Sequence, residues 1–419
     1  MSSDSLLAHL GRSERTEPSF QMDDSVGTLK TSVVNPRLAA FGTTIFAEMS
    51  ALAVATGSVN LGQGFPDTDG HELVRNAAIE AIRTGRGNQY PPGPGIPELR
   101  AAVSTHQQDF YALEVDPDTS VLITAGATEA LTAALLALLD TGDECILFEP
   151  FYDSYPAAVA MAGAARVAVT LRAPTFAPDL EELRKAIGPR TKVIMVNSPH
   201  NPTGTVFGRE TLEGIAALAI EHDLIVISDE AYEHLTFDGV EHIPIATLPG
   251  MFERTITIGS AGKTFSFTGW KVGWATGPQH LVHAVRMAKQ FLTYVSSGPF
   301  QYAVAEGFSL GKSYFTSFAA ELQAKRDRLA AGLVATGFDI FMPKGTYFIT
   351  TDITRLAGVT GTADGLAFCR SLPERCGVVA IPNVVFYDSK GIGSPYVRFA
   401  FCKRAEVLDA ALEGLTRLA

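Results

Sequence analysis

From about residue 60 onward, short continuous apolar runs alternate with longer stretches of helical periodicity. The runs are VLITAG (121–126), ECILFEP (144–150), TKVIMVNSP (191–199), LIVISDE (224–230) and RTITIGS (254–260). Each is short and continuous and stops at a polar or turn-forming residue. That is the pattern of strands covered on both faces. Between them, ATEALTAALLALLD and GRETLEGIAALAIEHD place apolar residues at helical spacing. Strand, crossover helix and strand in succession predict an α/β fold with a mostly parallel sheet flanked by helices.

After about residue 295 the pattern changes. FAAELQAKRDRLAAGLVATG (318–337) has the i, i+3, i+4 spacing of a long amphipathic helix. GTYFITTDI, VVAIPNVVFY and YVRFAFCK are expected strands of a smaller sheet, and RAEVLDAALEGLTRLA closes the chain as a helix. A smaller α+β domain is therefore expected beside the large one. The expected division is a flexible extension over 1–30, an arm and part of the small domain over 31–60, a large domain over 61–295 and a small domain over 296–419.

Composition narrows the function classes. The chain has 419 residues, 46% hydrophobic and 19% charged, which suits a large buried core and excludes a disordered chain. Its 33 basic and 45 acidic side chains give a net charge of -12, against a nucleic-acid partner that would need a basic face. Cys145, Cys369, Cys376 and Cys402 are scattered and form no CxxC, so neither a zinc ribbon nor a disulfide framework is expected. No run of 18 apolar residues suggests a spanning helix, and MSSDSLLAHLGRSERTEP lacks the apolar stretch of a secretion signal. These readings favour the cytoplasm, with no membrane partner. The nine histidines show no paired ligand spacing beyond His280-x-x-His283 on a helical stretch, and no metal is assigned.

Ligands of open α/β sheets sit beyond the carboxyl ends of the strands. The residues there are Gly126-Ala127-Thr128, Glu149 to Tyr152, Asn197 to Gly204, Asp229 to Tyr232, and Ser260 to Thr264. Each alone could be a cap or a turn. Together they gather polar groups from five strands. The segment GSAGKT looks at first like a phosphate-binding P-loop. That motif needs a glycine where this chain has Thr257, inside a strand, so a nucleotide hydrolase is the distant alternative. A dinucleotide fingerprint fails as well, because Glu98 stands where the third glycine after Gly93 and Gly95 should be.

Ser260-x-x-Lys263, then Gly269, Lys271 and Gly273, with Asp229-x-x-Tyr232 upstream, resembles the signature of the class I aminotransferases. These are fold type I enzymes that use pyridoxal 5'-phosphate. VNLGQGFPD, NQYPPGPG, EPFYDSY, NSPHNPTG and SDEAYEH extend the resemblance from about Asn35 to the C-terminus. They are similar to the kynurenine aminotransferase and glutamine transaminase branch. Bacterial methionine and actinobacterial N-succinyldiaminopimelate aminotransferases look similar too.

The resemblance implies roles. Lys263 would carry the cofactor as a Schiff base and then move protons, and Asp229 would keep the pyridine nitrogen protonated. Tyr232 and Asn201 would bond the phenolic oxygen, and Tyr152 would stack on the ring. Ala127, Thr128, Ser260 and Lys271 would cradle the phosphate at a helix start. Tyr90 would reach the phosphate of a neighbouring subunit, which implies a homodimer with shared sites. Arg398 would grip the substrate α-carboxylate, bordered by Gly64 and Asn201.

Phe46 stands where the kynurenine enzymes have tryptophan, which puts a kynurenine preference in doubt. Tyr294 and Tyr347 fit either the pocket or the core. The implied reaction is ping-pong transfer of an amino group from a kynurenine, glutamine, methionine or aromatic amino acid to a 2-oxo acid. The alternatives on the same cofactor are N-succinyl-LL-diaminopimelate transamination and β-elimination from cysteine conjugates.

Overall fold

The computed structural model describes residues 33–418, so the expected extension over 1–30 lies outside the described residues. In chain order the first eight strands are β1 (Val59–Asn60), β2 (Val121–Thr124), β3 (Glu144–Glu149), β4 (Ala165–Thr170), β5 (Thr191–Asn197), β6 (Ile225–Asp229), β7 (Thr255–Ser260) and β8 (Gly273–Thr276). The remaining five are β9 (Asp339–Phe341), β10 (Phe348–Asp352), β11 (Val378–Val379), β12 (Ile381–Pro382) and β13 (Tyr396–Ala400). Among the described residues, seven strands form the large sheet in the order β2-β8-β7-β6-β5-β3-β4. Every neighbouring pair is parallel except the two made by β8.

The unbroken apolar runs follow from burial on both faces. On β3, Cys145 and Leu147 pack into the core beneath the helices Gly126–Leu138 and Gln279–Lys289. Ile146 and Phe148 pack into the opposite core against the helix Arg209–Glu221. Such a strand has no face left for polar side chains.

The small sheet runs β12-β13-β10-β9 and is antiparallel throughout. β1 pairs in parallel with β11, and the helix Ile45–Thr56 buries Met49 and Ala53 in the same core as Val378 and Val379. The start of the described chain is thus built into the C-terminal part. The segment VVAIPNVVFY forms two two-residue strands and a 3₁₀ turn over Asn383–Phe386 instead of one strand. Pro382 lacks the N–H that a longer ladder would need.

The helix Gly298–Gly307 falls in the range expected for the small domain. Its Ala303 and Val304 share a core with Val74, Ala78, Leu99 and Val103 of the helices Glu72–Thr84 and Pro97–Tyr111. Along the next helix, Gly311–Ala335, Phe315 belongs to that core, whereas Leu322, Leu329 and Leu333 belong to the small-domain core. We therefore propose a division inside this long helix in place of residue 296.

Candidate active site

A cavity of about 350 Å³ opens where β5, β6 and β7 end, between the large sheet and β13. It is lined by Phe46, Gly64, Ala127, Thr128, Tyr152, Asn201, Asp229, Tyr232, Ser260, Lys263, Lys271 and Arg398. Of the residues singled out in the sequence, Tyr90 and Tyr294 lie elsewhere, and Tyr347 is buried behind the lining. Tyr90 is 81% exposed and packs edge-on against Tyr294, which is also exposed.

One end of the cavity is a helix start. Gly126–Leu138 has Ala125 at its N-cap and no side-chain cap, so its first N–H groups face the cavity side. Gly126 has φ 78°. A Cβ there would come within 3.3 Å of Lys271 Nζ, which puts the ammonium directly over the helix start. Lys271 itself adopts a left-handed φ of 53°. Dipole, free N–H groups and ammonium together form an anion cradle.

Asp229 ends β6 and is 6% exposed. Its Oδ2 accepts from Tyr155 Oη at 2.6 Å and its Oδ1 from Ala231 N at 3.1 Å. Both donors are neutral, and burial pushes the carboxyl above its ordinary range. Asn197, the last residue of β5, donates Nδ2–H to the Asp229 carbonyl at 2.9 Å and accepts from Asn201 N at 2.8 Å. It thereby ties two loops together at the strand ends.

Lys263 lies between these groups, on the short turn Ala261–Thr264 after β7. Its Nζ donates to the Gly64 carbonyl at 3.4 Å and sits 5.4 Å from the Tyr347 ring centre. Burial lowers the ammonium pKa to about 8, and the Lys271 charge acts in the same direction. Tyr347 is fully buried and donates to the same carbonyl at 2.6 Å. It therefore touches the lysine environment from the core side.

Arg398, on β13, is 1% exposed. Its guanidinium donates to Asn201 Oδ1 at 2.9 Å and to the Gly62 carbonyl at 3.2 Å, and lies 3.9 Å from the Phe348 ring centre. Its Nε has no partner. Among the described residues no carboxylate forms an ion pair with it. A buried cation with only neutral acceptors is prepared for an anion that enters from the cavity.

Three contributors were not assigned a role from sequence. Tyr155 lies one helical turn after Tyr152, and that spacing is its only signal. Asn197 stands in the strand-end set without a role of its own. Gln63, which bonds the Ser50 hydroxyl and the Phe46 carbonyl, has no signal beyond its nearness to Gly64.

Comparison with known proteins agrees with this geometry. Residues 56–415 match the family described as aminotransferase class I and II. A probable N-succinyldiaminopimelate aminotransferase, DapC, of Mycobacterium tuberculosis is 49% identical over 393 residues, covering 91% of this chain and 98% of that one. The kynurenine–oxoglutarate transaminase of Dictyostelium discoideum is 38% identical, covering 94% and 99%. Among solved structures, the N-succinyldiaminopimelate aminotransferase from Mycobacterium tuberculosis superimposes with a TM-score of 0.89 at 49% identity, covering 93% of this chain and 100% of that one. An Escherichia coli protein with methionine aminotransferase function gives 0.87 at 35% identity, covering 92% and 100%.

Proposed function

The chain belongs to the class I and II aminotransferases, a family that uses pyridoxal 5'-phosphate, and from that membership we propose which residues serve the cofactor and the substrate. The protein is a transferase of amino groups. The cavity chemistry fits the cofactor at both ends. The helix start at Gly126, with Thr128, Ser260 and Lys271, would hold the phosphate. At the other end Asp229 is a buried acid bonded only by neutral donors, and a protonated ring nitrogen would supply the cation it lacks. Tyr232 and Asn201 would hold the phenolic oxygen and Tyr152 the ring face. Bound there, pyridoxal phosphate supplies a reactive aldehyde and an electron-withdrawing ring.

Lys263 would anchor the cofactor and then move the proton at the substrate Cα. A lysine lowered to about 8 is partly neutral at physiological pH, as a general base must be. Arg398 would hold the α-carboxylate and aim Cα at Lys263. One carboxylate site serves donor and acceptor in turn, which suits a ping-pong order. The unpaired Arg398 is the observation that carries this reading.

For the substrate side chain we favour a neutral aromatic, amide or sulfur group. Phe46, Leu131, Val272 and Phe348 line the cavity, and Lys263, Lys271 and Arg398 are the lysines and arginines that line it among the described residues. A second reading, transamination of N-succinyldiaminopimelate, is favoured by the 49% identity to the Mycobacterium tuberculosis relative. A panel of donors, read as half-reaction absorbance changes, separates the two. Single-turnover rates highest for methionine, glutamine or kynurenine support the first reading, and a rate at least about 100-fold higher for the succinylated diamino acid supports the second.

The exposed Tyr90 and Tyr294 suit a homodimer in which Tyr90 reaches the partner's phosphate site. No described helix is long and apolar enough to cross a membrane, and a cytoplasmic location is proposed.

A further inference from the structure

A second polar cluster lies on the far side of the turn that presents Asp229 and Tyr232. Those two residues line the catalytic cavity. Glu233, His234 and His242 of the same region border a separate cavity of about 460 Å³. There, His234 meets His106 of the helix Pro97–Tyr111, with the two Nε2 atoms 2.7 Å apart. Glu233 Oε2 lies 3.9 Å from His106 Nε2 and accepts from Tyr111 Oη at 2.7 Å. One nitrogen from each imidazole and one Glu233 oxygen all fall within 4.8 Å of one another. Glu230 sits close by, with Oε2 2.9 Å from His242 Nε2 and Oε1 accepting from Ser228.

A hydrogen-bonded core network is the ordinary explanation for such a group, and it leaves two things unexplained. Glu233 Oε1 has no partner, although the residue is 4% exposed. Unpaired polar atoms at that depth are costly and call for a reason. Glu230 and Glu233 are also two neighbouring buried carboxyls that no lysine or arginine pairs with among the described residues.

We infer that His106, His234 and Glu233 form a site for a divalent transition-metal ion of the zinc class. Two imidazole nitrogens and one carboxylate oxygen are the donor set of such ions, not of magnesium or calcium. At metal–nitrogen distances of about 2.0–2.1 Å, two tetrahedral ligands stand about 3.3 Å apart. The two rings need to separate by less than about 1 Å from their present contact to reach that spacing. Coordination replaces the bond between the rings, with the shared proton moving to the Nδ1 of its own ring. His234 is half-buried and faces the separate cavity, which leaves the fourth position for water.

The ion would tie the turn after β6 to the helix Pro97–Tyr111. It would stiffen the segment that carries Asp229 and Tyr232 without touching the substrate. The three ligands are positioning residues in this sense.

The test uses purified holoenzyme stripped with a chelator, desalted, then titrated with zinc chloride by calorimetry. The expected result is one equivalent per chain, retained through a second desalting and accompanied by a rise in Tm. His234→Gln and Glu233→Gln should each weaken binding at least about 10-fold. The exposed pair variant His280→Ala/His283→Ala should bind like wild type. The idea is overturned if the stripped wild type retains no zinc, or if the exposed pair variant alone loses it. Should the ligand variants fail to fold, zinc-edge X-ray absorption of the wild type decides: two imidazoles support the site, and one or none refutes it.

Discussion

Tyr155 Oη donates a 2.6 Å hydrogen bond to Asp229 Oδ2, and that bond joins the helix Ser154–Ala162 to the end of β6. A hydrogen bond to a charged group is worth about 1.5–3 kcal/mol. Tyr155→Phe should therefore weaken pyridoxal phosphate binding about 10-fold or more, because the charged Asp229 loses one of its two donors. Fluorescence titration of the apoenzyme reads this directly. An unchanged Kd would mean that the bond does not support the cofactor.

Asp229 should cost the apoenzyme stability. Burial raises its carboxyl above the unfolded value, so the native state binds the proton more tightly. Stability from this group is thus greatest at low pH and is lost as pH rises past the ordinary carboxylate range. Asp229→Asn should raise the apoenzyme Tm at pH 8 while cutting turnover at least about 100-fold. A lower Tm with wild-type turnover would reverse the assignment.

Lys263 gives a pH profile. Its amine, lowered to about 8, is the form that reacts with an aldehyde. The rate of pyridoxal phosphate uptake by apoenzyme should climb with pH and level off above about 8. Stopped-flow absorbance measures it. Continued rise toward pH 10 would show a lysine at its ordinary value.

Arg398→Lys should lower kcat/KM for every donor about 100-fold or more, because a point charge cannot reproduce the bidentate fork. The cofactor absorbance should remain, since Arg398 makes no contact with the phosphate cradle. Loss of bound cofactor in this variant would assign Arg398 a different task.

Gly64→Ala would put a Cβ 2.5 Å from the Phe348 ring, which itself lies 3.9 Å from the Arg398 guanidinium. Overpacking of this kind costs about 1–3 kcal/mol. Urea unfolding should show that loss, and KM should rise as Arg398 is displaced. Wild-type stability would mean that the ring has room to move.

Much of the large sheet was legible because strands covered on both faces leave continuous apolar runs. β3, β5, β6 and β7 each fall within a run read from the pattern. β4 was not seen, since its first residues are exposed at the sheet edge and mix charge with alanine. β8 begins at the end of FSFTGWKVGW, whose glycines and aromatics carry no strand period, although Trp274 is fully buried there. The helix Gly298–Gly307 has helical spacing, but nothing local says which core receives Ala303 and Val304.

The catalytic candidates divide in the same way. Lys263, Asp229 and Arg398 could be found because a strand end or a strand position marks each of them, and the resemblance to a known family named their tasks. Local sequence carries charge, periodicity and the order of the strand ends. Only the tertiary structure decides who partners whom. It leaves Arg398 without a carboxylate 197 residues from Asn201, sets Tyr155 on Asp229 across 74 residues, and turns His106 toward His234 across 128. Contacts of that separation depend on how helices and sheets pack, and no window along the chain encodes them.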